Sequence, residues 1–217
     1  ANATWETGFV PPLFSDLAAV TSQAVLDIYR RHTPREVKSV FIPLASAQRP
    51  MQHQLNTEKP LSVGIFLTAL TNMARLRALV EQFGENPRVG DVLIRPHPVE
   101  VIKDDLSALC AGNPRVRDTF GMPLFDNISL CDLVICGNST VTVELLRGGV
   151  PVLYDSDLDG LPYDYNGYMK HSLVLPMPEK LDRQALATAE RFYASPQWFE
   201  TMRYFDAGYQ RDEDEMF

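Results

Sequence analysis

From Leu61 onward the chain alternates short, almost wholly apolar runs with amphipathic stretches, and this alternation constrains the fold more than any other feature. Ser62 to Leu67 (SVGIFL), Asp91 to Arg95 (DVLIR), Leu133 to Cys136 (LVIC) and Val150 to Tyr154 (VPVLY) have no polar partner at every second position. They read as strands buried on both faces of a parallel sheet. Between them, Asn72 to Gly84, Val99 to Ala111 behind Pro98, a short Asp126 to Leu130, and Thr140 to Arg147 stopped by Gly148 and Gly149 read as helices. A last short strand is expected at Ser172 to Leu175, followed by helices at Asp182 to Tyr193 and Pro196 to Tyr209. The expectation is an α/β fold with a doubly wound, Rossmann-like parallel sheet.

The segment ahead of this unit differs in texture. Phe14 to Arg31 carries Leu17, Val20, Ala24, Leu26 and Ile28 at helical spacing, with Ser15 as its cap; Val37 to Leu44 reads as a strand. Ala45 to Pro60 is polar and aperiodic, as a linker or long loop would be. The expected organisation is therefore a helical and linker segment at 1–60, a Rossmann-like domain at 61–210, and an acidic tail at 211–217.

Charge narrows the partners. With Lys plus Arg at 20 against Asp plus Glu at 28, and no basic cluster, the net charge of −8 disfavours nucleic acid. The three cysteines lack metal-ligand spacing, and Cys131 and Cys136 lie in apolar surroundings as small core residues. No apolar run approaches the roughly 20 residues a membrane-spanning helix needs. A cytoplasmic protein is expected.

Ligands in such sheets bind beyond the carboxyl ends of the strands. Two segments stand there. In Arg95-Pro96-His97-Pro98 a histidine is braced by two prolines, so its imidazole can be held toward a phosphate or sugar oxygen. The alternative is a rigid loop histidine without a ligand. Gly137-Asn138-Ser139-Thr140-Val141-Thr142-Val143-Glu144 leaves a strand and enters a helix. Gly137 would let the backbone approach a ligand, Ser139 and Thr140 would cap the helix beside its unpaired N–H groups, and Glu144, a turn further on, would reach a ribose. The alternative is an ordinary Ser/Thr cap with a solvated Glu.

RPHP after one strand, GNSTVTVE after the next and GGVPVLY closing the unit resemble the His-Pro and Ser/Thr motifs of bacterial sialyl-, polysialyl- and Kdo-transferases, and of the CDP-glycerol transferases of teichoic acid synthesis. All are similar to the wider GT-B glycosyltransferases, and the Gly-Asn-Ser loop also resembles that of UDP-N-acetylglucosamine 2-epimerases. The resemblance spans roughly residues 60 to 180. It implies an enzyme, a glycosyltransferase of surface or capsular polysaccharide synthesis, of which this is the C-terminal, donor-binding half of a GT-B architecture. His97 would contact the donor phosphate or assist its departure, with Arg95, Gly137, Asn138, Ser139 and Thr140 in the phosphate set and Glu144 on the ribose.

The donor implied is a nucleotide-sugar, a CMP-sugar foremost, with a CDP-polyol as the rival donor. An epimerase, or a non-catalytic nucleotide-binding subunit, would fit the same loop. The acceptor, a glycan or lipid-linked chain, would be met by a domain or subunit that the first 60 residues are too few to form, with the full enzyme at the inner face of the membrane. No cofactor and no metal are expected. Asp155-Ser156-Asp157 has the DxD spacing of a metal site, but such triplets are common in acidic turns. The loop Tyr163 to Tyr168 is placed where a base or sugar could lie, although the turn chemistry of its Asp, Asn and Gly explains it equally well; His32 and His53 are read as surface residues, and His171, ahead of the final strand, as a disfavoured second donor contact.

Overall fold

The computed structural model describes residues 16–32, 36, 38–42, 55, 59–98, 103–161 and 163–209. Its centre is a six-stranded parallel sheet formed by β3 (Leu61–Phe66), β4 (Val89–Arg95), β5 (Val116–Asp118), β6 (Leu133–Cys136), β7 (Val152–Tyr154) and β8 (Leu175–Pro176). The spatial order is β5-β4-β3-β6-β7-β8. Renumbered from β3, this is 3-2-1-4-5-6, the doubly wound order in which the winding reverses between the first and fourth strands. The register aligns Phe66 with both Arg95 and Cys136, so these three strand ends lie side by side.

Every residue of β6 is buried, as are five of the six in β3, which accounts for the unbroken apolar runs. The crossover helices are α2 (Met73–Glu85), α3 (Lys103–Gly112), α4 (Leu124–Leu130) and α5 (Val141–Arg147); α6 (Arg183–Tyr193) and α7 (Pro196–Phe205) follow the sheet. Local chemistry sets several starts. The side chains of Asn72, Asp182 and Ser195 accept hydrogen bonds from the N–H groups of Arg75, Ala185 and Trp198, and Pro196 stands in the first turn of α7. Trp198, Tyr193, Phe83 and Leu76 are among the large side chains sealed in the core.

The front of the chain departs from expectation. Leu17–Val20 is a strand, β1, paired in parallel with β2 (Lys38–Phe41), and the helix α1 begins only at Gln23 and runs to His32. Ser22, whose Oγ accepts from Val25 N at 3.2 Å, supplies the cap. Residues 14 and 15 lie outside the described set, as do His53, 99–102 and 210–217. Leu55, expected in a linker, is 3% exposed and belongs to the main core.

Two further differences lie within the sheet. β5 has no counterpart in the sequence pattern; of its three residues only Val116 is buried, too little for an apolar signal. The last strand is β8 at Leu175–Pro176, because Ser172 turns through a positive φ of 57° and cannot extend a ladder. No helix among the described residues is long and apolar enough to cross a membrane.

Candidate functional site

The reversal of strand order between β3 and β6 opens a crevice at the carboxyl edge of the sheet, and a cavity of about 190 Å³ occupies it. At roughly 30 Å³ per water molecule this is room for about six waters, enough for a phosphate group with part of what it carries. Phe66 and Leu67 contribute from the end of β3, Arg95 to Pro98 from the end of β4, and Ser139, Thr140, Val141 and Glu144 from the start of α5. His97 and Ser139, far apart in sequence, thus share one cleft.

His97 is half-buried between the buried Pro96 and the exposed Pro98. Arg95 is fastened from below: its Nη1 donates to the carbonyl of Met122 at 2.8 Å, and its guanidinium lies 5.9 Å from the centre of the Phe66 ring. Burial lowers the Arg95 pKa from its ordinary value, opposed by the nearby Glu144 charge. Burial likewise raises the Glu144 carboxyl, opposed by Arg95. The two charges line the same cleft, and for each the loss of solvent outweighs the attraction.

Ser139 and Thr140 do not cap α5 through their hydroxyls. Thr140 holds the cap position in helical backbone with no side-chain cap bond, and it is the carbonyl of Ser139 that accepts from Thr142 N at 3.2 Å. The helix has only seven residues, so its dipole contributes little. Among the described residues neither hydroxyl has a protein hydrogen-bond partner, which leaves both for a ligand.

Gly137 and Asn138 are present for a different reason from the one their position suggests. A Cβ at 137 would run into the carboxylate of Asp159, so it is a buried side chain, not a ligand, that demands glycine there. Asp159 Oδ2 accepts from Asn138 N at 2.6 Å. The Asn138 amide nitrogen donates to Asp159 Oδ1 at 3.2 Å and to the carbonyl of Tyr163 at 3.0 Å, while its oxygen accepts from the Tyr154 hydroxyl and from Tyr165 N. Its side chain is therefore a brace between the end of β6 and the loop at 155–165, and neither residue lines the cleft. Asp159 escapes sequence reading; it lies 21 positions away with no local pattern to mark it.

The DxD triplet is divided. Asp155 is buried, ion-paired at 2.6 Å with Arg75 of α2, and its other oxygen accepts from Asp157 N, whereas Asp157 is exposed. Among the described residues no group of three or more His, Cys, Asp or Glu side chains is placed to hold a metal ion. His171 packs its ring on Tyr204 and Phe205, away from the crevice. Cys131 and Cys136 are buried free thiols whose pKa values burial pushes up.

No protein-family model matches the chain, and no curated protein matches it either. Solved structures do. CalG4, the calicheamicin glycosyltransferase, superposes with a TM-score of 0.54 at 15% identity, covering 88% of this chain and 47% of that one. The pneumococcal O-GlcNAc transferase GtfA in complex with UDP and GlcNAc gives 0.49 at 15% identity, over 88% and 40%. Anabaena HepE in complex with UDP gives 0.46 at 16%, over 89% and 60%. The chain thus spans less than half the length of the first two, and the superposition on CalG4, with the 3-2-1-4-5-6 sheet, gives it the α/β fold of one Rossmann-like half of a GT-B glycosyltransferase.

Proposed function

We propose that this chain is the donor-binding half of a glycosyltransferase that takes a nucleotide-activated sugar. The observation that carries the reading is the single cleft at the switch point where His97, Ser139, Thr140 and Glu144 converge, a polar constellation set on a phosphate-sized hollow. The likeness of the fold to CalG4 supports the reaction class. In this reading the Ser139 and Thr140 hydroxyls, unclaimed by the helix, donate to phosphate oxygens, and His97 adds a third donor that stabilises the departing phosphate. Glu144 accepts from the ribose hydroxyls. Arg95, held by Met122, balances the Glu144 charge from beneath and adds positive potential.

The base that activates the acceptor hydroxyl comes from outside residues 61–210, where the acceptor, a glycan or lipid-linked chain of surface polysaccharide synthesis, would be bound. The sequence motifs make CMP-sugars and CDP-glycerol the first donors to try. A thermal-shift panel of CMP, CDP, UDP and their sugar conjugates tests the assignment, since a ligand of the native state raises Tm. His97→Ala and the double change Ser139→Ala with Thr140→Ala should each weaken the nucleotide that binds. A charge-assisted hydrogen bond contributes about 1.5 to 3 kcal/mol, so the loss should be roughly ten- to a hundred-fold by calorimetry. Unchanged affinity in both variants, with an intact circular dichroism spectrum, would remove the donor site from this cleft.

A further inference from the structure

A second cavity, of about 360 Å³, lies on the same carboxyl edge of the sheet, beyond the ends of β7 and β8. Tyr154 and Asp155 enter it from one strand end and Met177 from the other; Arg75 and Tyr163 flank it. Along the edge the strands run β4, β3, β6, β7, β8, so the first cleft draws on the first three and this cavity on the last two. Asn138 is the joint between them. It adjoins Ser139 in the first cleft, and its amide holds the Tyr163 carbonyl and the Tyr154 hydroxyl of the second.

Glu144 lies about one helical turn beyond Thr140 along α5. A donor with its ribose at Glu144 and its phosphates at Ser139 and Thr140 would run toward the N-terminal end of α5, the end that Asn138 ties to Tyr154 and Tyr163 of the second cavity. The two ends of that path differ in charge. The first cleft sets the cation of Arg95 against a single carboxylate, Glu144. In the second, Arg75 is already ion-paired with Asp155, which leaves Asp157 and Asp164 outside any ion pair among the described residues. Asp164 is held by the backbone N–H groups of Tyr168 and Lys170, so its charge stays in place. Tyr163, Met169 and Met177 add apolar wall beside these carboxylates, a surface suited to the C–H face of a sugar whose hydroxyls donate to Asp157.

Building on the donor reading above, we propose that this second cavity receives the part of the donor beyond its phosphates, and that this part is an uncharged sugar or polyol, not a sugar bearing a carboxylate. This separates the two donor classes the motifs leave open, since sialyl and Kdo residues carry a carboxylate, whereas the polyol of a CDP-polyol, which is transferred together with its phosphate, presents only hydroxyls there. Like charge facing like charge at a binding surface is a strong discriminator.

The matched probes are UDP-glucose and UDP-glucuronate, which differ only in CH₂OH against carboxylate, each compared with UDP by calorimetry on this chain; CMP-N-acetylneuraminate is compared with CMP. UDP-glucose is expected to bind more tightly than UDP, and UDP-glucuronate about ten-fold or more weaker than UDP-glucose. Asp157→Asn, at an exposed position outside any ion pair among the described residues, should narrow that gap at least about three-fold. If the site takes only cytidine nucleotides, CMP-N-acetylneuraminate must bind more weakly than CMP, and tighter binding overturns the proposal. Nucleotide binding that is blind to the sugar's charge, or a gap that Asp157→Asn leaves intact, overturns this inference alone. Failure of every nucleotide to bind overturns the donor reading with it.

Discussion

At Glu144 burial and attraction oppose each other, and burial prevails: its carboxyl titrates above the ordinary value although Arg95 pulls the other way. A carboxyl with a raised folded-state pKa binds more protons folded than unfolded, so its ionisation costs stability as pH rises past the unfolded value of about 4.3. Glu144→Gln removes that cost. The variant should melt at a higher temperature than the parent near neutral pH, the two should converge below about pH 4, and nucleotide affinity should fall while pyrophosphate binding is spared. Melting curves across pH with paired calorimetry check it; equal Tm at pH 7 would mean that Glu144 is better compensated than its burial implies. The position of Glu144 was legible because a strand end, a turn and a helix follow one another in sequence. The duties of Gly137 and Asn138 were not, since both are set by Asp159, 21 residues beyond Asn138, and a glycine needed for a buried carboxylate looks the same in sequence as one needed for a ligand.

Helix α5 is held at both ends. Its first turn faces the cleft, and at its last residue Arg147 Nη1 meets Asp206 Oδ2 at 2.8 Å, where the side chains are 7% and 0% exposed. Asp206 is the C-cap of α7, so this pair ties the site helix to the last helix of the domain. Arg147→Met should strand a fully buried carboxylate and cost about 3 to 5 kcal/mol in urea denaturation, whereas Arg147→Met with Asp206→Leu should recover most of the loss. A single variant no less stable than the double would show that Asp206 finds other partners. The elements that sequence reading located best are β3, β4 and β6, which are long or wholly apolar, and α6, which starts at the capping side chain of Asp182. It missed β1 because Leu17, Val20, Ala24 and Ile28 fit a helical period; the strand-to-helix break at Ser22 is local backbone chemistry that the period overrides. The three-residue β5 offers one buried residue and therefore no pattern at all.

On the scale of the molecule, two apolar clusters meet along α1 and α7. Ala18, Val20, Leu26, Ile28 and Tyr29 form the smaller one, yet Ala24 on the same helix and Leu55 beyond it belong to the main core. The seam is also polar: the Tyr204 hydroxyl donates to Asp27 Oδ2 at 3.1 Å, and Ala207 N donates to the carbonyl of Thr21 at 3.3 Å. Removing residues 1–58 would strip α1 from α7, empty the place of Leu55 and leave the Tyr204 and Ala207 groups to water. Burying one Leu contributes about 1.5 to 3 kcal/mol and each hydrogen bond about 1 kcal/mol, so the loss should be about 3 to 5 kcal/mol. At roughly 2 to 4 °C per kcal/mol for a domain of this size, Tm should fall by about 6 to 20 °C. The newly exposed face of α7 should also bind a hydrophobic dye and promote self-association, visible by light scattering. A truncated chain that melts with the parent and remains monodisperse would make the leading segment a tether. The expected outcome instead makes α1 a working part of the same body, one that bears through α7 and Asp206 on α5.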